Sequence, residues 1–310
     1  MTIPLSNRQI IFLMYENRSG STFLASRLDL HPEVGVTIET ETFADLLETG
    51  PVLRDDADLP RPADFDAVMR AVLDLYFRGA DIPYYLVKGT RLTHHIARLR
   101  QASPGARFLH IIRDPRGVFG SQKQSLGSET ATAMNEDAHD AARRWAANAR
   151  RVDRVAGPDL LEVRYEDLIT DHDATLDGIR AFMMRDGLPA LEAPGEMDGE
   201  AYLQRIPEGQ RHLHQNLVRK PRADRIEAWR TELTAVEIAL SQSGAAEVLG
   251  AKGYAIDETA AARAGRMTLL LTRLRLTLAT LGRRLRNGLR YAREGRLLWR
   301  IRVVLFRLRA

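Results

Sequence analysis

Two short stretches hold the residues whose types and spacing could do chemistry. Glu16-Asn17-Arg18-Ser19-Gly20-Ser21-Thr22 follows the apolar run Gln9–Tyr15 and opens a helical pattern, Phe23–Leu30, that stops at His31-Pro32. A helix start presents unpaired backbone N–H groups and the positive end of its dipole, which together bind anions. Gly20 permits close backbone approach, Ser21 and Thr22 add hydroxyl donors, and Arg18 adds a permanent charge with a bidentate fork. The same residues also fit an ordinary capped helix, with Ser19 or Ser21 as the cap and no ligand. The second stretch is Arg113-Asp114-Pro115-Arg116, just after the apolar Phe108–Ile112, with Ser121 eight positions beyond Arg113. An arginine at a strand end and a serine two turns into the next helix can converge on one phosphate. The alternative is a local Arg113–Asp114 ion pair with Ser121 solvated.

These stretches need a scaffold that brings strand ends together. Gln9–Tyr15, Val34–Ile38, Tyr84–Val87, Phe108–Ile112 and Leu160–Val163 read as buried strands. Helical patterns separate them at Asp64–Arg78, Thr93–Gln101, Arg116–Ser125, Asp137–Ala156 and Ala174–Arg185, with further helices at Ala223–Arg230 and Ala235–Leu249. Alternating strands and helices imply right-handed βαβ units. The expected fold is α/β: a P-loop-like three-layer arrangement with a central, mostly parallel sheet flanked by helices, followed by C-terminal basic amphipathic helices. Ligands in such sheets bind beyond the carboxyl ends of the strands, where both stretches lie.

Composition narrows the chemistry. The 310 residues include no cysteine, which removes disulfides, thiol nucleophiles and thiolate metal sites together. His94-His95 are adjacent, point about 100° apart on a helix and have no nearby third ligand, so they are expected as surface or acceptor-pocket residues and no metal is expected. His110, within a strand, is expected to be structural. A nucleotide triphosphatase would carry Gly-x-x-x-x-Gly-Lys-Ser/Thr in the first loop, but no lysine precedes Ser21 or Thr22 and the leading glycine is missing. An ATP-dependent kinase stays as an alternative that ligand preference decides. Met1–Gln9 lacks the pattern of a signal peptide, and no 18 consecutive residues are apolar.

Beyond these physical arguments, Arg18-Ser-Gly-Ser-Thr after one strand and Arg113-Asp-Pro-Arg with Ser121 after a later one resemble sulfotransferases that use 3′-phosphoadenosine 5′-phosphosulfate (PAPS). The tyrosylprotein branch is especially similar, because Leu28-Asp-Leu-His-Pro32 also falls at its spacing. The resemblance implies that Arg18, Ser19, Gly20, Ser21 and Thr22 grip the 5′-phosphosulfate, and that Arg113 and Ser121 grip the 3′-phosphate. It implies a catalytic base at Glu39, 21 positions after Arg18; among the neighbouring carboxylates Glu41 is the second candidate. Glu41 also stands where the tyrosylprotein branch has an arginine, which argues against peptide tyrosine as acceptor. Lys88 corresponds to a lysine acting on the sulfuryl and bridging oxygens, with Arg18 beside it on the leaving phosphate. Tyr165, in Arg164-Tyr-Glu-Asp-Leu168, corresponds to a tyrosine near the adenine, and Arg219-Lys220 to a late loop closing on the 3′-phosphate. Arg222 or Arg225 could serve there instead.

Charge divides the chain. Residues 1–257 are expected to form the sulfotransferase domain and 258–310 a basic helical tail, since Arg263–Ala310 holds fourteen arginines against one acid, Glu294. Leu274, Leu278, Leu281, Leu285, Leu289 and Ala292 recur at helical spacing, with arginines mostly elsewhere, and Leu297–Leu308 repeats the theme. The pattern suits an anionic membrane interface, and hence a lipid or lipid-linked glycan acceptor and a cytoplasmic, peripheral location. Packing on the body, homodimer formation and disorder are the other readings. Nucleic acid is disfavoured, because few aromatic residues are interleaved with the arginines.

Overall fold

The first strand, β1 (Gln9–Tyr15), is buried along its whole length, as its unbroken apolar run requires of a strand covered on both faces. In the computed structural model, which describes residues 8–37, 44–45, 82–124, 137–196, 199–204, 208 and 223–293, β1 is the centre of a five-stranded sheet. With β2 (Val34–Val36), β3 (Tyr84–Gly89), β4 (Arg107–Ile112) and β5 (Leu160–Arg164), the order is β2-β3-β1-β4-β5 and every pairing is parallel. The strands match expectation to within two residues wherever the chain is described. The expected helix at 64–78 lies outside the described residues.

Around the sheet run α1 (Ser21–Leu28), α2 (Ile96–Ala102), α3 (Pro115–Gln124), α4 (Ala138–Arg154), α5 (Tyr165–Thr170) and α6 (His172–Met183). They are followed by α7 (Gly199–Gln204), α8 (Trp229–Glu232), α9 (Ala235–Ala251), α10 (Ala260–Ala264) and α11 (Arg266–Arg293). The strand's period of two makes three layers. Ile11, Leu13 and Tyr15 share a core with Leu24 and Leu28 of α1 and Ile179 and Met183 of α6. Ile10, Phe12 and Met14 face the other way, onto Ile96, Leu99 and Val152. The fold is therefore α/β, a parallel sheet between two helical layers.

Strand order also locates the ligand crevice. The chain leaves β1 toward β2 on one side and leaves β4 toward β5 on the other, although β1 and β4 are neighbours. That reversal opens a crevice at their carboxyl ends. Tyr15 pairs with Ile111, so the loops after both strands start side by side.

Two local expectations are corrected. The stretch 223–230 is not one helix but a 3₁₀ turn at Ala223–Arg225 followed by the single-turn α8. Trp229, 2% exposed, is held by the cluster of Phe119, Leu233 and Ile238, and this tertiary anchor overrides local helical spacing. His95, expected at the surface or in an acceptor pocket, does not lie at the surface but is buried. Past residue 257, Ala260 and the half-buried Leu269 and Leu276 pack into that same cluster. No helix of the described residues is long and apolar enough to cross a membrane.

Candidate active site

The first loop turns from β1 into α1 through two left-handed residues, Arg18 at φ 74° and Gly20 at φ 91°. A non-glycine residue at positive φ is uncommon and is kept only where its surroundings hold it. Gly20, not a serine, is the N-cap of α1, and no side chain among the described residues caps the helix. The choice left open by the sequence is thereby resolved toward an unsealed helix start. Glycine is required here for a second reason: a Cβ would sit 2.4 Å from Cδ2 of Tyr165, whose ring lies against the loop. Ser19 is fully buried, and its Oγ has no hydrogen-bond partner among the described residues.

Three cations converge on this loop from three strand ends. Arg18 Nε donates to Ser121 Oγ at 3.1 Å, joining the first stretch to the helix after β4. Arg113 Nη1 donates to the carbonyl of Arg18, and Nη2 to the carbonyl of Arg225, each at 3.0 Å. Its guanidinium lies 4.3 Å from the Tyr165 ring centroid. Arg113 Nε is buried and lacks a hydrogen-bond partner among the described residues. Lys88, 1% exposed, donates from Nζ to Thr22 Oγ1 at 3.1 Å and from its backbone N–H to Thr37 Oγ1 at 2.9 Å. Of the residues selected from sequence, Arg18, Ser19, Gly20, Ser21, Thr22, Lys88, Arg113, Ser121 and Tyr165 thus belong to one neighbourhood. Glu39, Glu41, Arg219, Lys220 and Arg222 lie outside the described residues.

Further residues hold the cations in place. The turn after β4 is built around a buried pair that differs from the Arg113–Asp114 pair considered above: Arg116 makes a bidentate contact with Asp114, Nε to Oδ1 at 2.9 Å and Nη2 to Oδ2 at 2.6 Å. Arg116 also lies 3.9 Å from the Trp229 ring centroid. With its charge paired inside the protein, Asp114 leaves Arg113 for other partners. The Arg113 carbonyl accepts from Trp145 Nε1 at 3.0 Å. Glu166 Oε1 accepts from the Asp114 N–H at 3.0 Å, and Oε2 accepts from the Tyr254 hydroxyl at 3.2 Å. Burial, reinforced by the Asp114 charge, raises the Glu166 carboxyl above its usual range despite the donated N–H. Burial also pushes the Tyr254 hydroxyl well up, with the Glu166 charge adding to the effect. At the loop's start, Glu16 accepts from Arg144 Nε at 3.0 Å and from Asn148 Nδ2 at 3.3 Å.

The sequence alone gives Arg116 no role and does not single out Trp145, Arg144, Asn148 and Glu166 as supports. No periodicity marks contacts that span 32 to 132 positions. Arg225, unlike Arg219 and Lys220, lies among the described residues. What it supplies to Arg113 is its backbone carbonyl, while its own guanidinium pairs with Glu232 at 2.6 Å. His110, expected to be structural, is bound to Glu162 at 2.9 Å, and Glu162 also accepts from Lys252 at 2.8 Å.

Chemically, an unsealed helix start, two buried polar atoms without hydrogen-bond partners among the described residues and three nearby cations suit a polyanionic ligand. A family model described as "Sulfotransferase family" matches residues 11–189, a span running from β1 past the end of α6. No curated protein matches the chain in sequence. Among solved structures, the sulfotransferase domain of the Synechococcus PCC 7002 olefin synthase is 19% identical, with 78% of this chain and 98% of that one covered and a TM-score of 0.46. The sulfotransferase domain of the curacin biosynthetic pathway is 15% identical, with 83% and 100% covered and a TM-score of 0.48. Mouse sulfotransferase SULT7A1, complexed with PAP, is 14% identical, with 78% and 82% covered and a TM-score of 0.37.

Proposed function

The chain belongs to the sulfotransferase family, and from that premise we propose that it moves a sulfuryl group from PAPS to a hydroxyl or amine of an acceptor by in-line displacement. The observation that carries the reading is the hydrogen bond from Arg18 to Ser121, which merges the two anion-binding stretches into one continuous grip. A donor with a phosphosulfate at one end and a 3′-phosphate at the other needs cationic contacts in two places. Arg18, Ser19, Gly20, Ser21 and Thr22 would hold the 5′ end at the start of α1, and Arg113 with Ser121 the 3′-phosphate. Tyr165, packed against both Gly20 and Arg113, suits the adenosine between them.

In the transfer, the acceptor oxygen forms a bond to sulfur as the bond from sulfur to the 5′-phosphate oxygen breaks. The acceptor proton passes to the base, assigned to Glu39, and PAP leaves with the electron pair. Charge then grows on the leaving phosphate oxygen. Lys88 is buried, and its ammonium is held by Thr22 in the first turn of α1, so it is preorganised to offset that charge. Arg18 adds a second cation. The late closing role stays with Arg219 and Lys220. The acceptor we assign is a lipid or lipid-linked glycan, because α11 combines exposed leucines with arginines.

Calorimetry with PAP and with ADP tests the donor. Preferential binding of PAP is expected, whereas tighter binding of ADP would favour a kinase and overturn the assignment. For the base, Glu39→Gln should leave PAP affinity nearly intact and abolish sulfuryl transfer from labelled PAPS to extracted lipids or glycans. Retained turnover would remove Glu39 from the role.

A further inference from the structure

Helix α11 is 28 residues long and carries arginines but no acidic residue. It has two apolar faces with different fates. Leu269 and Leu276, two turns apart on one side, pack against the cluster of Phe119, Trp229 and Ile238. Met267, Leu270, Leu271, Leu274, Leu278 and Leu289 are each 56–67% exposed. At about 100° per residue, these six fall within an arc of roughly 100°, on the side opposite Leu269 and Leu276. Arg266 and Arg273 lie along one border of that arc, and Arg275, Arg286 and Arg293 along the other.

An apolar stripe of this length left in water marks an interaction surface. The stripe's borders say what covers it. A second copy of α11 would bring arginine borders against arginine borders, with no acid on the helix to pair them. Nucleic acid would neutralise the arginines but leave the leucines in water. An anionic bilayer surface satisfies both sets at once: leucines enter the acyl boundary while the flanking arginines reach headgroup phosphates at the rim. We propose that α11 lies flat on an anionic lipid surface through the Met267–Leu289 stripe. The seat is fixed to the catalytic body, because Leu269 and Leu276 pack in the cluster that contains Trp229, and Trp229 lies over Arg116 of the candidate site. Docking therefore sets the orientation of the site relative to the membrane. The inference rests on α11 alone and stands apart from the identity of the sulfuryl donor.

The test uses the full 310-residue chain in flotation with vesicles of phosphatidylcholine alone or mixed with phosphatidylglycerol. Binding should require the anionic lipid and weaken as salt rises. The combined change Leu270→Glu, Leu274→Glu and Leu278→Glu should abolish flotation while thermal melting and PAP binding stay as in the wild type. If that variant melts early, Leu274→Glu alone provides the same reading with less perturbation. Arg275→Gln with Arg286→Gln and Arg293→Gln should weaken partitioning on the order of 100-fold. Equal binding to neutral vesicles, or flotation that survives the leucine changes, overturns the proposal. So does a concentration-dependent dimer, lost in the leucine variant, in a wild-type protein that ignores vesicles.

Discussion

Arg18 Nε reaches Ser121 Oγ at 3.1 Å although 103 positions of chain separate them. Arg18 is itself held at positive φ and offers its carbonyl to Arg113, so one residue links the loop after β1 to both anchors after β4. Removing either end of the Arg18–Ser121 bond should therefore disturb the same ligand contact. Arg18→Ala and Ser121→Ala are each expected to weaken PAP binding by about tenfold or more. The double variant should lose less than the sum, with a coupling of roughly 0.5–3 kcal/mol. Calorimetric titration of the four proteins measures it, and strict additivity would mean that the two residues act separately.

Gly20 and Tyr165 are a second coupled pair. Gly20→Ala places a methyl where the Tyr165 ring lies and strains a left-handed backbone, so it should cost about 1–3 kcal/mol in stability. Tyr165→Ala removes the collision but leaves the strain. In Tyr165→Ala protein, Gly20→Ala should thus cost less than in wild type, as read from paired denaturation curves. An equal cost in both backgrounds would place the whole effect in the backbone.

Lys88 separates binding from chemistry. Lys88→Met keeps the buried aliphatic stem and removes the ammonium that Thr22 holds. The expected result is a loss of about 100-fold or more in kcat with little change in PAP affinity, since the cation acts on charge that grows in the transition state. Parallel losses in kcat and PAP affinity would assign Lys88 to ground-state binding instead.

Two glutamates make opposite contributions to stability as pH changes. Burial raises Glu166 above the ordinary value of 4.5, so the folded protein holds this proton more tightly than the unfolded chain does. Its contribution is fully present below 4.5 and is lost as pH rises through the raised folded value. Burial alone would also raise Glu162, but hydrogen bonds from His110 and Lys252 outweigh it and hold that carboxyl below 4.5. Its contribution is present above 4.5 and is lost as pH falls through the depressed folded value. Melting temperature measured against pH for wild type and Glu166→Gln isolates the first effect. The wild type's advantage should shrink as pH rises from 4.5, and a pH-independent difference would refute the assignment.

Much of this protein was legible in the chain itself. The run Gln9–Tyr15 determined a buried central strand, because the six consecutive apolar residues Ile10–Tyr15 leave no polar face and are stable only between two layers. The residue types of the two candidate anion-binding stretches, and their places after strands, are likewise written in the local sequence. Tertiary structure alone decided what those stretches do together. Strand order put β1 beside β4 with connections leaving in opposite directions, and so opened the crevice into which both loops run. It set the Tyr165 ring against Gly20, which excludes a side chain there, and φ at Gly20 made that residue, rather than a serine, the cap of α1. It gave Arg113 its carbonyl partners from Arg18 and Arg225, and pressed Leu269 and Leu276 onto the body while leaving the opposite stripe of α11 in solvent. Local periodicity records which residues share a face of one element. Which faces meet is settled only when distant elements pack and the cost of burying each charge is offset by a partner far away in the chain.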